Sequence, residues 1–290
     1  MVTYEISEAD LSSVPVSYRT ESRYLGYREA DRAQPYAEFF REDVLPVQGH
    51  VGEALLAGMA PTEYGYRPSD AVRMLTRPGH HPMETGWTVL DDGTVMVSVL
   101  TDMPNVTGEM WDWWFGWHSC ESARYKLWHP QAHQFSAVGQ PRSGIRDLSD
   151  RQRYIGNVSY VDEYVGGHLV PLAIRFVDPA RMGFDDIPSG DTVIVARVGP
   201  STAPAAFGWI VHQVRATAAG PEMRSRFFLN YPQHLDLPPA SLAQPPAGRA
   251  PTGAPDLEAL GVALLHHCAA EMNHLASFLP ELRDTFDGTP

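Results

Sequence analysis

The 290-residue chain has only two cysteines, Cys120 and Cys268, which are far apart and outside any CxxC motif. A disulfide framework and a thiolate zinc site are therefore excluded, and we expect a reducing, cytoplasmic location. Basic residues are also few, at 22 against 35 acidic ones, giving a net charge of −13. This balance argues against nucleic acid or an anionic membrane surface as a partner.

Long apolar runs are missing as well. No segment approaches the ~20 apolar residues that a membrane span needs. The beginning of the chain, MVTYEISEADLSS, is acidic and lacks the apolar core of a signal peptide. We therefore expect no membrane association.

The remaining composition, 43% hydrophobic and 20% charged, is that of an ordinary globular protein. We expect a small, mostly helical region over residues 1–80, with helices at Asp31–Arg41 and Val51–Met59. Residues 81–290 are expected to form a larger domain, in which a stretch with seven prolines over 232–255 is an extended connection.

The larger domain has an α+β pattern. A hairpin is predicted around Asp91-Asp92-Gly93, followed by a helix at Glu109–Tyr125 with Thr107 as its cap. The β-rich segments that follow are Val158–Val165, Leu169–Val177, Thr192–Val198, Trp209–Thr217 and Met223–Leu229. A long helix at Asp256–Leu279 ends the pattern, so we expect a curved antiparallel sheet around this C-terminal helix.

That helix has polar residues on its apolar stripe. The stripe consists of Leu257, Leu260, Leu264, Leu275 and Phe278. His267 and Glu271 fall in its middle, at the i and i+4 spacing with which two side chains can hold one metal ion. The alternative is a His–Glu hydrogen-bonded pair that only completes the core.

Other polar residues occupy positions where an apolar residue is expected. Glu163 shares a strand face with Val161 and Val165, although an edge strand with Glu163 in water would give the same pattern. His129 and His133 follow the aromatic helix and are both credible ligands, and the spacing does not choose between them.

The remaining histidines are not equally good candidates for a functional role. His212 lies between Ile210 and Val214 on one strand face, so we expect it to face an enclosed cavity and to titrate there. His118 lies on the aromatic helix and is a weaker candidate. His50, His80 and His81 are expected to be solvated or packed.

Five segments together resemble the diacetylphloroglucinol hydrolase family, which includes the phloretin hydrolases. They are MPNVTGEMWDWWFGWH (Met103–His118), RYKLWHPQAH (Arg124–His133), VDEYVG (Val161–Gly166), MRSRFF (Met223–Phe228) and HCAAEMNHLASFLPEL (His267–Leu282). The resemblance implies a zinc-dependent hydrolase that cuts the carbon–carbon bond between a polyhydroxylated aromatic ring and its acyl group. It also implies a homodimer, with a small N-terminal domain and a helix-grip, START-like catalytic domain.

The resemblance further implies roles for single residues. The metal ligands would be His133, Glu163, His267 and Glu271. Tyr125 would bind a ring hydroxyl, and His212 would be the mobile catalytic histidine.

The same family pattern leads us to expect a tyrosine among the ring-binding residues of one strand. The chain has Phe227 and Phe228 there, so one hydroxyl contact to the substrate would be absent. The aromatic helix supplies Trp111, Trp114 and Phe115, which suit a flat phenolic ligand.

Two histidines and two carboxylates neutralise a dication and leave room for water or substrate, as in catalytic zinc sites. Oxygen ligands would also accept Mn²⁺ or Fe²⁺, so zinc rests on the resemblance. Two alternatives remain open: a non-haem iron oxygenase of phenolic compounds, and a non-catalytic helix-grip protein that binds aromatic ligands.

Overall fold

The computed structural model describes residues 2–244 and 256–289. Its centre is an eight-stranded sheet with the order β1-β2-β9-β8-β6-β5-β4-β3, in which every neighbouring pair is antiparallel. The strands are β1 (Gly86–Val89), β2 (Val95–Asp102), β3 (His133–Val138), β4 (Val158–Val165), β5 (His168–Val177), β6 (Thr192–Pro200), β8 (Gly208–Arg215) and β9 (Glu222–Leu229). A small separate ladder pairs β7 (Ala205–Ala206) with β10 (Gln233–His234).

Most of the helices are short. They are α1 (Val16–Thr20), α2 (Gly49–Ala57), α3 (Ala71–Leu75), α4 (Gly108–Trp117), α5 (Ser122–Lys126), α6 (Asp150–Tyr154), α7 (Leu257–Ala276) and α8 (Leu279–Phe286). The α+β class is confirmed, and α7 is the longest helix in the described ranges. No helix there is both long and apolar enough to cross a membrane.

Local sequence signals explain several of these elements. Gly93, with φ at +80°, turns the chain between β1 and β2, where a residue with a Cβ would be strained. The Thr107 hydroxyl accepts a hydrogen bond from the Met110 amide and begins α4. Asp256 caps α7 in the same way through the amides of Glu258 and Ala259.

The sheet is covered on both faces. On the inner face, α4 and α7 pack their aromatic and aliphatic side chains against residues such as Val97, Val161 and Ile194. The outer face carries two further apolar clusters, which contain Tyr4 and Tyr18 from the start of the chain. Residues before 80 thus contribute to all three clusters, and the division of the chain at residue 80 stays a prediction.

Two predicted helices are wrong in extent. In place of a helix at Asp31–Arg41 there are two 3₁₀ turns, Asp31–Ala33 and Ala37–Phe39, because Pro35 between them lacks an N–H. The helix predicted to reach Tyr125 ends at Trp117 and passes through a 3₁₀ turn. It restarts at Ser122 because Glu121 is extended, with φ −145° and ψ 130°.

Strand β3, at His133–Val138, is absent from the segments predicted from the sequence. Of the proline-rich connection, residues 232–244 include β10 and the 3₁₀ turn Pro239–Ser241, whereas residues 245–255 lie outside the described ranges.

Candidate active site

Four polar side chains from three elements converge between α7 and the sheet. His133 begins β3 and lies opposite Glu163 of β4 in the strand register, while His267 and Glu271 come from α7. His133 Nε2 lies 3.4 Å from Glu271 Oε2 and 3.8 Å from Glu163 Oε2. His267 Nε2 lies 3.7 Å from the same Glu271 oxygen. Each of the four is at most 9% exposed.

This cluster has the dimensions of a metal site. Bonds of about 2.0–2.2 Å to a tetrahedral zinc place two donor atoms roughly 3.3–3.6 Å apart, close to the separations found. Ligand atoms of His133, Glu163 and His267 all lie within 4.8 Å of one another. His133 Nε2 is buried with no hydrogen-bond partner, whereas its Nδ1 contacts the Tyr125 carbonyl at 3.0 Å. Such a carbonyl contact orients a ligating histidine.

The electrostatics also favour a cation. Burial raises the pKa of Glu163 to about 7. Burial and the charge of Glu163 raise the pKa of Glu271 well above its usual value. Burial lowers the pKa of His267 to about 3, so the imidazole is neutral. Across the described chain, the ion-pair partners of both glutamates are histidines alone, and a divalent cation would offset the cost of two buried carboxylates.

Tyr125 connects two members of this cluster. Its ring stacks on His133 with centroids 3.8 Å apart and an angle of 3° between the rings. Its hydroxyl donates a short hydrogen bond to Glu163. The hydroxyl that the family resemblance assigns to the substrate is thus engaged by a carboxylate of the cluster in this structure.

The structure separates His129 from His133. His129 stacks on His267, with centroids 5.2 Å apart, and its Nδ1 has no partner. In the described residues His133 Nε2 lies within 4 Å of a carboxylate oxygen of both Glu163 and Glu271, and His129 has no such contact. Burial, with the charges of His274 and His266, lowers its pKa to about 4. The geometry therefore favours His133 over His129 as the ligand.

An aromatic wall extends from the cluster along α4. Trp111, Trp114 and Phe115 are all buried there. Trp128, which the sequence analysis quoted in a motif but did not single out, joins this wall to the cluster. Its ring lies 5.8 Å from His133 and 5.5 Å from Phe115.

His212 lies at the far end of the wall. Its ring is 6.3 Å from Phe115 and 5.6 Å from Phe227, and the residue is 5% exposed, so it faces the inner side of the sheet as expected. Burial lowers its pKa to about 3, well below the range near pH 7 expected from the sequence. Phe228, by contrast, packs in an outer-face cluster.

Comparison with known proteins identifies the family of this chain. The family model of the "DAPG hydrolase PhiG domain" matches residues 67–283. The chain belongs to the DAPG hydrolase family. The motif resemblance is thereby confirmed.

Relatives in the DAPG hydrolase family align with most of this chain. It is 30% identical over 276 residues to a 2,4-diacetylphloroglucinol hydrolase of Pseudomonas sp, covering 92% of this chain and 93% of that protein. It is also 30% identical over 272 residues to a phloretin hydrolase of Eubacterium ramulus, covering 90% and 95%. These similarities cover most of the chain, and the roles of single residues stay predictions.

The other histidines named from the sequence have protein partners in this DAPG hydrolase family member. His118 Nδ1 lies 2.7 Å from the Trp114 carbonyl, and its ring stacks on Trp114. His50 contacts the Leu100 carbonyl, and His80 contacts the Glu222 carboxylate. His81 Nδ1 accepts a hydrogen bond from the Met83 amide. These contacts agree with the expectation that they are packed or solvated.

Proposed function

We propose that this protein is a metal-dependent hydrolase that cleaves the carbon–carbon bond between a polyhydroxylated aromatic ring and its acyl group. The observation that carries the proposal is the buried cluster of His133, Glu163, His267 and Glu271 in a member of the DAPG hydrolase family. Relatives named as hydrolases of 2,4-diacetylphloroglucinol and phloretin indicate an acylphloroglucinol-like substrate.

The four residues of the cluster would hold Zn²⁺, and their oxygen donors would also accept Mn²⁺ or Fe²⁺. Such a cation supplies Lewis-acid chemistry, since it polarises a substrate oxygen and lowers the pKa of water toward ~7. His133 Nε2 already lies 3.8 Å from the Glu163 carboxylate and 3.4 Å from the Glu271 carboxylate, which supports a site that needs little rearrangement to bind the cation.

The rest of the site would hold the ring and move protons. Trp111, Trp114, Phe115 and Phe227 offer flat apolar surfaces, and Tyr125 would bind a ring hydroxyl. In the reaction, the ring carbon that bears the acyl group gains a proton and the acyl carbon gains a hydroxyl, so one water is consumed. His212 would pass the proton to or from the substrate.

We also propose that α7 and the sheet form a helix-grip, START-like domain, because α7 contacts β1, β2 and β4 across the inner face. The family resemblance further supports a homodimer, whose assembly the region before residue 80 would serve. Light scattering of the purified protein tests the dimer: a single-chain mass at micromolar concentration would contradict it. The cytoplasmic location stays a prediction.

The decisive experiment combines metal analysis with turnover under anaerobic conditions. One divalent metal per chain is expected, together with one carboxylic acid released for each deacylated ring formed from 2,4-diacetylphloroglucinol or phloretin. A strict requirement for oxygen would indicate a non-haem iron oxygenase instead. Binding of the phenol without turnover, in protein that contains its metal, would indicate a binding module.

A further inference from the structure

Arg197 carries a fully buried guanidinium on the outer face of the sheet. It lies on β6 between Ala196 and Val198, whose side chains belong to the inner cluster. One of its nitrogens, Nη2, donates to the Tyr231 carbonyl at 2.5 Å. Nε and Nη1 are buried and have no hydrogen-bond partner in the described ranges. Because a guanidinium has five N–H donors and no acceptor, most of its hydrogen-bonding capacity is unused.

The positive charge of Arg197 also lacks a counter-ion. Burial lowers its pKa to about 10, so the group stays protonated at neutral pH. The neighbouring Arg175 of β5 is paired, with its Nε 2.8 Å from Asp10 Oδ1, but no nitrogen of Arg197 contacts a carboxylate of the described residues. Residues 245–255, outside the described ranges, contain no aspartate or glutamate. An unpaired buried charge is strongly destabilising, so a negative partner is expected.

Two aromatic rings flank the guanidinium. Cζ of Arg197 lies 5.2 Å from the centroid of Trp209, its register partner on β8, and 5.6 Å from that of Tyr231. Ring faces attract a cation, but they do not replace the strong acceptors that Nε and Nη1 require. The Trp209 indole N–H is itself buried and without a partner among the described residues.

These groups define the chemistry of the missing partner. Nε and Nη1 of Arg197 and Nε1 of Trp209 are all donors, and two of the three belong to a cation. A ligand that satisfies them must accept hydrogen bonds and carry negative charge. One charge is uncompensated, so a monovalent anion balances it, whereas a dianion such as sulfate would bury an excess negative charge.

We propose that Arg197 and Trp209 form a buried binding site for a small monovalent anion, of the size and charge of chloride. The anion would accept hydrogen bonds from Arg197 and from the indole N–H, and it would stabilise the fold by neutralising the guanidinium. The site lies on the face of the sheet opposite the candidate metal cluster. The inference is therefore separate from the proposed function and goes beyond it.

A direct test uses wild-type crystals in which sodium bromide replaces the chloride. Anomalous scattering from bromide is expected to give a peak in hydrogen-bond contact with Arg197 Nε or Nη1 and with the Trp209 indole. This measurement does not depend on how any variant folds. If no peak is found there and the unfolding of wild type does not depend on halide, the proposal is wrong. The guanidinium is then satisfied by ordered water and the two aromatic rings.

Unfolding of the metal-containing protein tests the site in solution. Sodium chloride is exchanged for sodium gluconate at constant ionic strength, so that only the identity of the anion changes. The melting temperature of wild type is expected to rise by a few degrees with chloride and to saturate, as for a ligand bound only by the folded state. Sodium acetate in a parallel series decides whether the preferred anion is a halide or a carboxylate.

Substitution then locates the effect. Arg197→Met keeps the apolar stem and removes the charge, so its melting temperature should no longer respond to chloride. The matched control is Arg142→Met, because Arg142 donates to protein acceptors alone, Gln140 Oε1 and the carbonyls of Gln152 and Ile155. That variant should respond as wild type does. A chloride response that persists in Arg197→Met would show that the anion binds elsewhere, and turnover is not needed for either measurement.

Discussion

Asp162 and Glu163 are consecutive residues of β4 whose carboxylates lie on opposite faces of the sheet. Asp162 faces outward, where it accepts hydrogen bonds from the Tyr18 hydroxyl at 3.0 Å and from Arg23 Nε at 2.8 Å. Glu163 faces inward to Tyr125 and His133. One acid therefore fastens the start of the chain to the sheet, and its neighbour faces the candidate metal site.

This relationship gives a matched pair of substitutions. Glu163→Gln is expected to lose most of its bound metal with a small change in the unfolding free energy of the metal-free protein, because a neutral amide is a poor ligand. Asp162→Asn should keep its metal but lose about 1–3 kcal/mol of stability, since Arg23 and Tyr18 lose a charged acceptor. Metal content and urea unfolding of both variants measure the two effects, and a reversed pattern would contradict the assignment.

The ligand set is tested by four further variants. His133→Ala, His267→Ala and Glu271→Ala are each expected to remove the metal almost completely, because three remaining ligands in a buried site leave it weakly held. His129→Ala is the control and should retain it, although His129 stacks on His267. Elemental analysis after gel filtration gives the answer. Metal loss in His129→Ala with retention in His133→Ala would mean that His129, and not His133, is the metal ligand.

His212→Ala is expected to keep its metal and its fold while kcat falls by about 10²-fold or more, the scale for loss of a general acid–base. The competing interpretation is a buried histidine with only a packing role, which predicts a lower melting temperature with kcat nearly intact. Steady-state kinetics and a melting curve on this variant distinguish them. A kcat within a few-fold of wild type would remove His212 from the mechanism.

Glu84 should make stability depend on acid pH. Burial alone would raise its pKa, but Arg226 and Arg224 outweigh burial and lower it from 4.5 to about 2. A lowered folded-state pKa stabilises the fold above about 4.5, and this contribution disappears as pH falls from there to about 2. A shift of this size corresponds to about 3 kcal/mol.

Glu84→Gln tests this in metal-free protein. The variant should be less stable than wild type at pH 7, and the difference between the two should shrink as the pH is lowered from 5 toward 2. Glu53→Gln, at an exposed position of α2, is the control and should follow wild type throughout. A difference that does not change with pH would mean that Glu84 acts through packing alone.

The sequence by itself identified the polar residues of the candidate site that break a local pattern. His267 and Glu271 lie on an apolar helical stripe, and Glu163 shares a strand face with Val161 and Val165. Helical and strand periodicity are set by residues a few positions apart, so such departures are visible without a structure. The α+β class and most strand positions came from the same local signals.

Only the tertiary structure decided which residues far apart in the sequence come into contact. It made a strand of His133–Val138, because β4 is available to pair with it, and that pairing set His133 opposite Glu163. It also joined Trp128 to the aromatic wall and Ser225 to His212. Strand pairing and ring contacts depend on partners far along the chain. Local periodicity therefore carries no information about them, and for the same reason the spacing alone did not choose between His129 and His133.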